Sequence, residues 1–144
     1  MTLTRLAGLL IAFWAGSLWT ICGLVAPTLF RILESRQLAG HLAATFFNAL
    51  TWIGVVMATV LLALNLAGRI ALPGGRPLSG RALVLITAGL PLASRLVLGP
   101  LMDQARAAGN MARFGALHGV AGACFLLACL GAALLLWKFN RPAE

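Results

Sequence analysis

Residues 114–137 read FGALHGVAGACFLLACLGAALLLW, a stretch that contains no Asp, Glu, Lys or Arg. A helix needs about 20 predominantly apolar residues to cross the hydrocarbon core of a bilayer. Arg113 precedes the stretch, and Lys138 and Arg141 follow it, as is typical of charges that flank a membrane helix. The stretch therefore predicts a transmembrane helix.

Three further apolar stretches precede this one along the chain. A breaker-rich sequence at 72–81 separates the middle two, because its Pro and Gly residues favour a loop. We expect residues 1–144 to form a single domain, an all-α polytopic membrane protein with a four-helix transmembrane bundle. The four helices are predicted at about 6–26, 45–67, 82–102 and 114–137.

The composition favours a bilayer over water as the solvent of this chain. Hydrophobic residues make up 61% of the 144 residues and charged residues 10%, whereas about 25% charged is usual in soluble domains. The net charge is +8, but the cations are spread between apolar stretches and form no basic patch. This distribution argues against a nucleic-acid partner, and it leaves membrane lipids as the expected surroundings.

The three cysteines indicate neither a disulfide framework nor a zinc site. Cys22, Cys124 and Cys129 lie inside apolar stretches, and their odd number and spacing match no such pattern. We interpret them as small apolar packing residues.

The distribution of cations predicts the orientation in the membrane. Four crossings place both termini on one side, and Lys and Arg are enriched on the cytoplasmic side of membrane proteins. We therefore expect cytoplasmic termini in a bacterial inner membrane. The side of the termini carries Arg5, Arg69, Arg76, Arg81, Lys138 and Arg141, against Arg31, Arg36, Arg106 and Arg113 on the other.

Arg95 is the most informative polar residue, because it lies inside the third predicted helix, about 10 Å from its end. A charge in a spanning helix costs about 2.5–3.5 kcal/mol on insertion scales and marks a candidate site. The candidate ligand-binding residues are Arg95, His118 and Asp103, near the non-cytoplasmic face. Because few acids lie nearby, we expect the ligand to be anionic. The alternative is that Arg95 extends to the interface and meets Glu34 or a lipid phosphate.

The two histidines are candidate metal ligands on the same side of the membrane. His118 has Gly115 and Gly122 on its helix face, which leaves room for a bulky group. Together with His41 it would suit haem or copper. The alternative is that His118 forms a hydrogen bond with a neighbouring helix.

Glycines at helical spacing predict close helix packing. Gly16 in the first helix and Gly115 and Gly119 in the fourth would let backbones approach. We expect packing within the bundle first, and association with a second copy or another membrane protein as the alternative.

Short motifs carry a resemblance to a known family. FWAGS at 13–17 and VAPTLF at 25–30 resemble the first helix of the transmembrane-protein-205-like family, a family of unknown function. GPLM at 99–102 resembles its third helix, and FGALHG at 114–119 resembles its fourth. The resemblance implies a four-helix membrane bundle without an assigned reaction.

The same family is distantly similar to copper-resistance-D-type membrane proteins and to membrane protoporphyrinogen oxidases. These proteins present histidines from helices, so the similarity implies a metal or haem role for His118. It covers neither His41 nor Arg95.

Three functional hypotheses follow. The first is a non-enzymatic membrane protein with a metal, haem or anionic-ligand site near the non-cytoplasmic face. The second is a structural or assembly partner that packs through its glycine-rich helix faces. The third is a redox enzyme that acts on a porphyrin. An enzyme is the least favoured, because the chain has no nucleophile motif, paired carboxylates, P-loop or dinucleotide fingerprint.

Overall fold

The computed structural model describes residues 2–74 and 79–141, and the regular structure in these residues is helical throughout. Four helices are long and apolar enough to cross a membrane. This confirms the predicted all-α class and the predicted number of helices. The helices are α1 (Leu3–Ile32), α2 (Arg36–Leu66), α3 (Gly80–Ala107) and α4 (Met111–Phe139).

All four helices extend past the predicted apolar stretches, and an N-cap side chain sets the start of each. The side chains of Thr2, Ser35, Ser79 and Asn110 each accept a hydrogen bond from the backbone N–H three residues later. Such caps satisfy one of the free N–H groups of the first turn. Residues 75–78 of the predicted loop, with Arg76, lie outside the described residues.

Two proline residues explain the irregular turns of α1 and α3. The π-helical turn Ile21–Val25 precedes Pro27, and the π-helical turn Ser94–Leu98 precedes Pro100. Proline has no N–H to donate and its ring displaces the carbonyl four residues earlier. The backbone takes a wider turn instead, in which the N–H after each turn bonds to the carbonyl five residues before it.

The helices form a ring in which consecutive helices pack on each other, and α1 packs on α4 to close it. The core of this ring lies in the half that holds the chain termini. Its largest fully buried side chains include Trp14, Ile11, Leu61, Leu83 and Leu135.

In the other half, the bundle opens between two hairpins. The buried residues of α1 all lie between Ala7 and Leu18, and those of α4 between Ala128 and Leu135. Beyond them, Ala26–Ile32 packs on α2, and Gly99–Ala107 packs on α4. The hairpins α1–α2 and α3–α4 are therefore joined in the half with the termini, here called the closed end. They share no extensive contact in the half with the α1–α2 and α3–α4 connections, here called the open end.

Candidate functional site

Arg95 lies deeper in the bundle than the sequence predicts, because α3 continues to Ala107. At about 1.5 Å per residue, Arg95 is about 21 Å from Arg81 and about 16 Å from Arg106 along the helix axis. A hydrocarbon core about 30 Å thick and centred between these two arginines places Arg95 more than about 10 Å inside it. The three-carbon stem of Arg95 is too short to reach lipid phosphates from that depth, which argues against the interfacial alternative.

Arg95 has no partner among the residues that the structure describes. Its side chain is exposed and forms no hydrogen bond or ion pair with them. Glu34 and Asp103 do not reach it, and Asp103 is about 12 Å further along the axis of α3. The charge of Arg95 is therefore available to a group from outside the chain.

Helix periodicity shows where Arg95 points. Ala88 lines a groove between α2 and α3 opposite Ala58, and Arg95 follows Ala88 by two helical turns. Residues seven apart lie on nearly the same helix face. Arg95 thus continues the α2-facing side of α3 into the open end.

His118 occupies the matching position on α4. It lies on the same helix face as Cys129, which is three turns further along α4. The carbonyl of Cys129 accepts a hydrogen bond of 3.1 Å from Trp19 Nε1 of α1. His118 therefore continues the α1-facing side of α4 into the open end. Arg95 and His118 flank the inner surface of the α3–α4 hairpin, where the other hairpin no longer covers it.

His118 belongs to a small cluster that joins α3 to α4. Its ring stacks on that of Phe114, with centroids 5.9 Å apart and planes at 13°. The Arg106 guanidinium carbon lies 4.6 Å from the centroid of the same Phe114 ring, a cation–π contact. No described residue forms a hydrogen bond with His118, so the predicted bond to a neighbouring helix is not observed.

Phe114 and Arg106 were not predicted as members of this cluster. The four-residue spacing of Phe114 and His118 predicts a shared helix face and was an available signal. The approach of Arg106 depends on how α3 meets α4, which the sequence does not reveal.

His41 does not face the interior of the bundle. It lies two residues from both Ala39 and Ala43, which are buried. A step of two residues rotates by about 200° around a helix, so His41 is on the opposite, exposed face. Among residues 2–74 and 79–141, no three His, Cys, Asp or Glu side chains group as a metal site would require. This geometry gives no support to haem or copper held jointly by His41 and His118.

Gly16, Gly115 and Gly119 contact no neighbouring helix in the described part of the bundle. A Cβ atom added at any of them would meet nothing within 4 Å, and all three are exposed. The expected packing inside the bundle occurs at other glycines, such as Gly54 against Trp14 and Gly131 against Thr87. A packing role for the predicted three would require a second chain.

Cations outnumber acids at the open end. This excess makes the mouth between the hairpins attractive to anions. The cations are Arg31, Arg36, Arg106 and Arg113, and the acids are Glu34 and Asp103.

These features define a class of protein: a four-helix membrane protein with a partnerless arginine between two hairpins that separate at one end. The chain belongs to the family described as "Domain of unknown function (DUF4149)", whose model matches residues 9–111. No curated protein and no solved structure matches the chain. The matched residues include Arg95, Asp103 and His41 and end before His118, and the family description assigns no activity.

Proposed function

We propose that this protein is a non-enzymatic membrane protein that binds an anionic amphiphile between its two hairpins at the open end. The observation that carries the proposal is Arg95, a charge near the middle of α3 with no partner in the described chain. Intramembrane arginines pair with other groups, because an isolated charge in hydrocarbon is costly. An anionic group from a bound molecule would satisfy Arg95.

The surroundings of Arg95 suit a molecule with one charged and one apolar part. The Phe47 and Phe125 rings, with centroids 4.6 Å apart, pack α2 against α4, at about the same depth along the helices as Arg95. Leu96 and Val97, beside Arg95, are exposed. An apolar chain would be solvated by such surfaces at little cost, while the anionic group binds the guanidinium.

The orientation proposed from the sequence gives the site its side of the membrane. With cytoplasmic termini in a bacterial inner membrane, the open end faces away from the cytoplasm. The resemblance to transmembrane-protein-205-like and copper-resistance-D-type proteins remains a hypothesis beside this one, and it concerns His118 alone.

Native mass spectrometry of the detergent-purified protein tests the proposal. We expect anionic amphiphiles, palmitate or phosphatidylglycerol, to remain bound in preference to neutral ones of similar chain length. Arg95→Gln should weaken this binding about tenfold or more, since hydrogen bonds to charged groups contribute about 1.5–3 kcal/mol. The matched control Arg5→Gln removes an exposed arginine at the closed end and should bind like the wild type. Equal retention of neutral and anionic amphiphiles would reject the proposal.

A second function, assembly with another membrane protein or a second copy, is favoured by the exposed glycines of α4. Gly115 and Gly119 lie on one side of α4 with open space beside them, and small residues allow close helix contact in membranes. Gly119→Leu should abolish association measured by energy transfer between labelled chains, and His118→Ala should not. Association that survives Gly119→Leu would reject this second function.

A further inference from the structure

The depth of Arg95 restricts which anionic group can reach it. The Arg95 backbone lies more than about 10 Å inside the hydrocarbon core when the bilayer is centred on α3, and its side chain is too short to reach the headgroups from there. Phospholipid phosphates lie outside that core, in the headgroup region. A ligand for Arg95 must therefore carry its acidic group into hydrocarbon.

We propose that the amphiphile is a long-chain carboxylic acid whose carboxylate binds Arg95, an inference that rests on the proposed function and names its ligand class. A phosphodiester keeps its charge at neutral pH, and it brings a polar headgroup with it. A carboxylic acid can enter hydrocarbon in its neutral, protonated form, because ionisable groups in apolar surroundings lose their charge rather than remain ionised. Only the carboxylic acid can reach the depth of Arg95 without desolvating a charge on the way.

The binding step is an acid dissociation next to a fixed cation. The neutral acid meets the Arg95 guanidinium, its O–H bond breaks, and the carboxylate remains paired with the cation. The proton leaves to water at the open end. The guanidinium presents two parallel N–H donors that match the two oxygens of a carboxylate, so the pair is both neutral overall and geometrically specific.

A groove next to Arg95 suits the alkyl chain. It lies between α2 and α3, has a volume of about 220 Å³, and includes Ala58, Ala88, Gly89 and Leu92 in its walls. Leu92 is less than one turn before Arg95, so the groove leads from the guanidinium towards the closed end. Its walls leave a shallow, mainly apolar channel about 10 Å long between Leu85 and Leu92, which would hold the part of an alkyl chain nearest to the carboxylate.

Carbon NMR of palmitate labelled with ¹³C at the carboxyl group tests this inference on the full chain in neutral detergent. The carboxyl shift reports the ionisation of the bound acid as the pH is varied. A neighbouring cation favours the carboxylate. We therefore expect palmitate bound to the protein to titrate about 1–3 pH units below palmitate in protein-free micelles.

Three variants separate the role of Arg95 from a general effect on the bundle. Arg95→Gln should return the titration to the value in micelles, and Arg95→Lys should keep part of the shift because the positive charge remains. Arg5→Gln, at the closed end, should behave like the wild type. Far-UV circular dichroism and gel filtration of each variant establish that it is folded.

Phosphatidylglycerol in the same detergent, followed by ³¹P NMR and native mass spectrometry, distinguishes failure of the carboxylic-acid inference from failure of the proposed function. Binding of phosphatidylglycerol that depends on Arg95, with no such dependence for palmitate, would overturn the carboxylic-acid inference and leave the proposed function standing. Independence of both ligands from Arg95 would overturn both. Dependence confined to palmitate supports both.

Discussion

Thr87 and Gly131 show how a single atom decides the fit between α3 and α4. Thr87 is buried, with 1% of its surface exposed, and its hydroxyl has no hydrogen-bond partner in the described chain. A Cβ atom added at Gly131 would lie 2.6 Å from Thr87 Oγ1. The missing side chain of Gly131 therefore provides the space that the Thr87 hydroxyl occupies.

We expect Gly131→Ala to destabilise the protein by about 1–3 kcal/mol, the usual cost of overpacking, measured by thermal unfolding in detergent. Adding Thr87→Ala should recover most of the loss, because the next nearest Thr87 atom is 3.8 Å from the new Cβ. Gly115→Ala, in the same helix but with no contact at this position, should be neutral or slightly stabilising. Equal effects of the two glycine variants would contradict this account.

Arg95 should reduce the stability of the protein without ligand. Because no described residue pairs with it, Arg95→Leu removes a charge from hydrocarbon without breaking a contact. We expect the variant to resist unfolding better by up to about 2.5–3.5 kcal/mol, the range given by insertion scales. Denaturant titration in mixed micelles measures the change. A less stable Arg95→Leu variant would show that the arginine has an intramolecular partner.

At the scale of elements, the apolar stretches predict where the helices lie better than where they end or which way they face. Apolar stretches marked each crossing, but the caps at Ser35 and Asn110 start α2 and α4 well before the apolar residues begin. The two π-helical turns also follow from Pro27 and Pro100, which the sequence displays. The rotation of each helix, and with it the outward position of His41, came only from the packing.

We expect the open end to be more mobile than the closed end, because few buried contacts hold the hairpins together there. Spin labels at Leu3 and Trp137 report the α1–α4 distance at the closed end, and labels at Ile32 and Met111 report it at the open end. All four positions are exposed. In a background without native cysteines, pulsed electron resonance should give a broader distance distribution for the second pair. Equal widths would contradict the separation of the hairpins.

At the scale of the whole molecule, four candidate spans would place the two termini on the same side of a membrane. The orientation depends on a small excess of cations on that side, and the cations of the open end are close in number. Orientation is therefore the global property that a few charges decide.

Cysteine labelling of intact cells measures this orientation. With the native cysteines replaced, we expect Thr2→Cys to be protected from a membrane-impermeant maleimide and Glu34→Cys to react. Both should react after the cells are permeabilised. The reverse pattern would place the open end in the cytoplasm, and the proposed ligand would then enter from that side.

The sequence by itself determined the four helices that are long and apolar enough to cross a membrane, since the bilayer acts on each apolar stretch separately and about 20 such residues suffice. It also marked Arg95 and His118, because polar groups stand out in hydrocarbon. Only the tertiary structure decided which side each residue faces: Gly115 outward and Gly131 inward, His41 away from the core and Arg95 between the hairpins. The physical reason is that lipid is as apolar as the protein interior, so hydrophobicity, which reveals the buried face of a soluble helix, does not reveal it here.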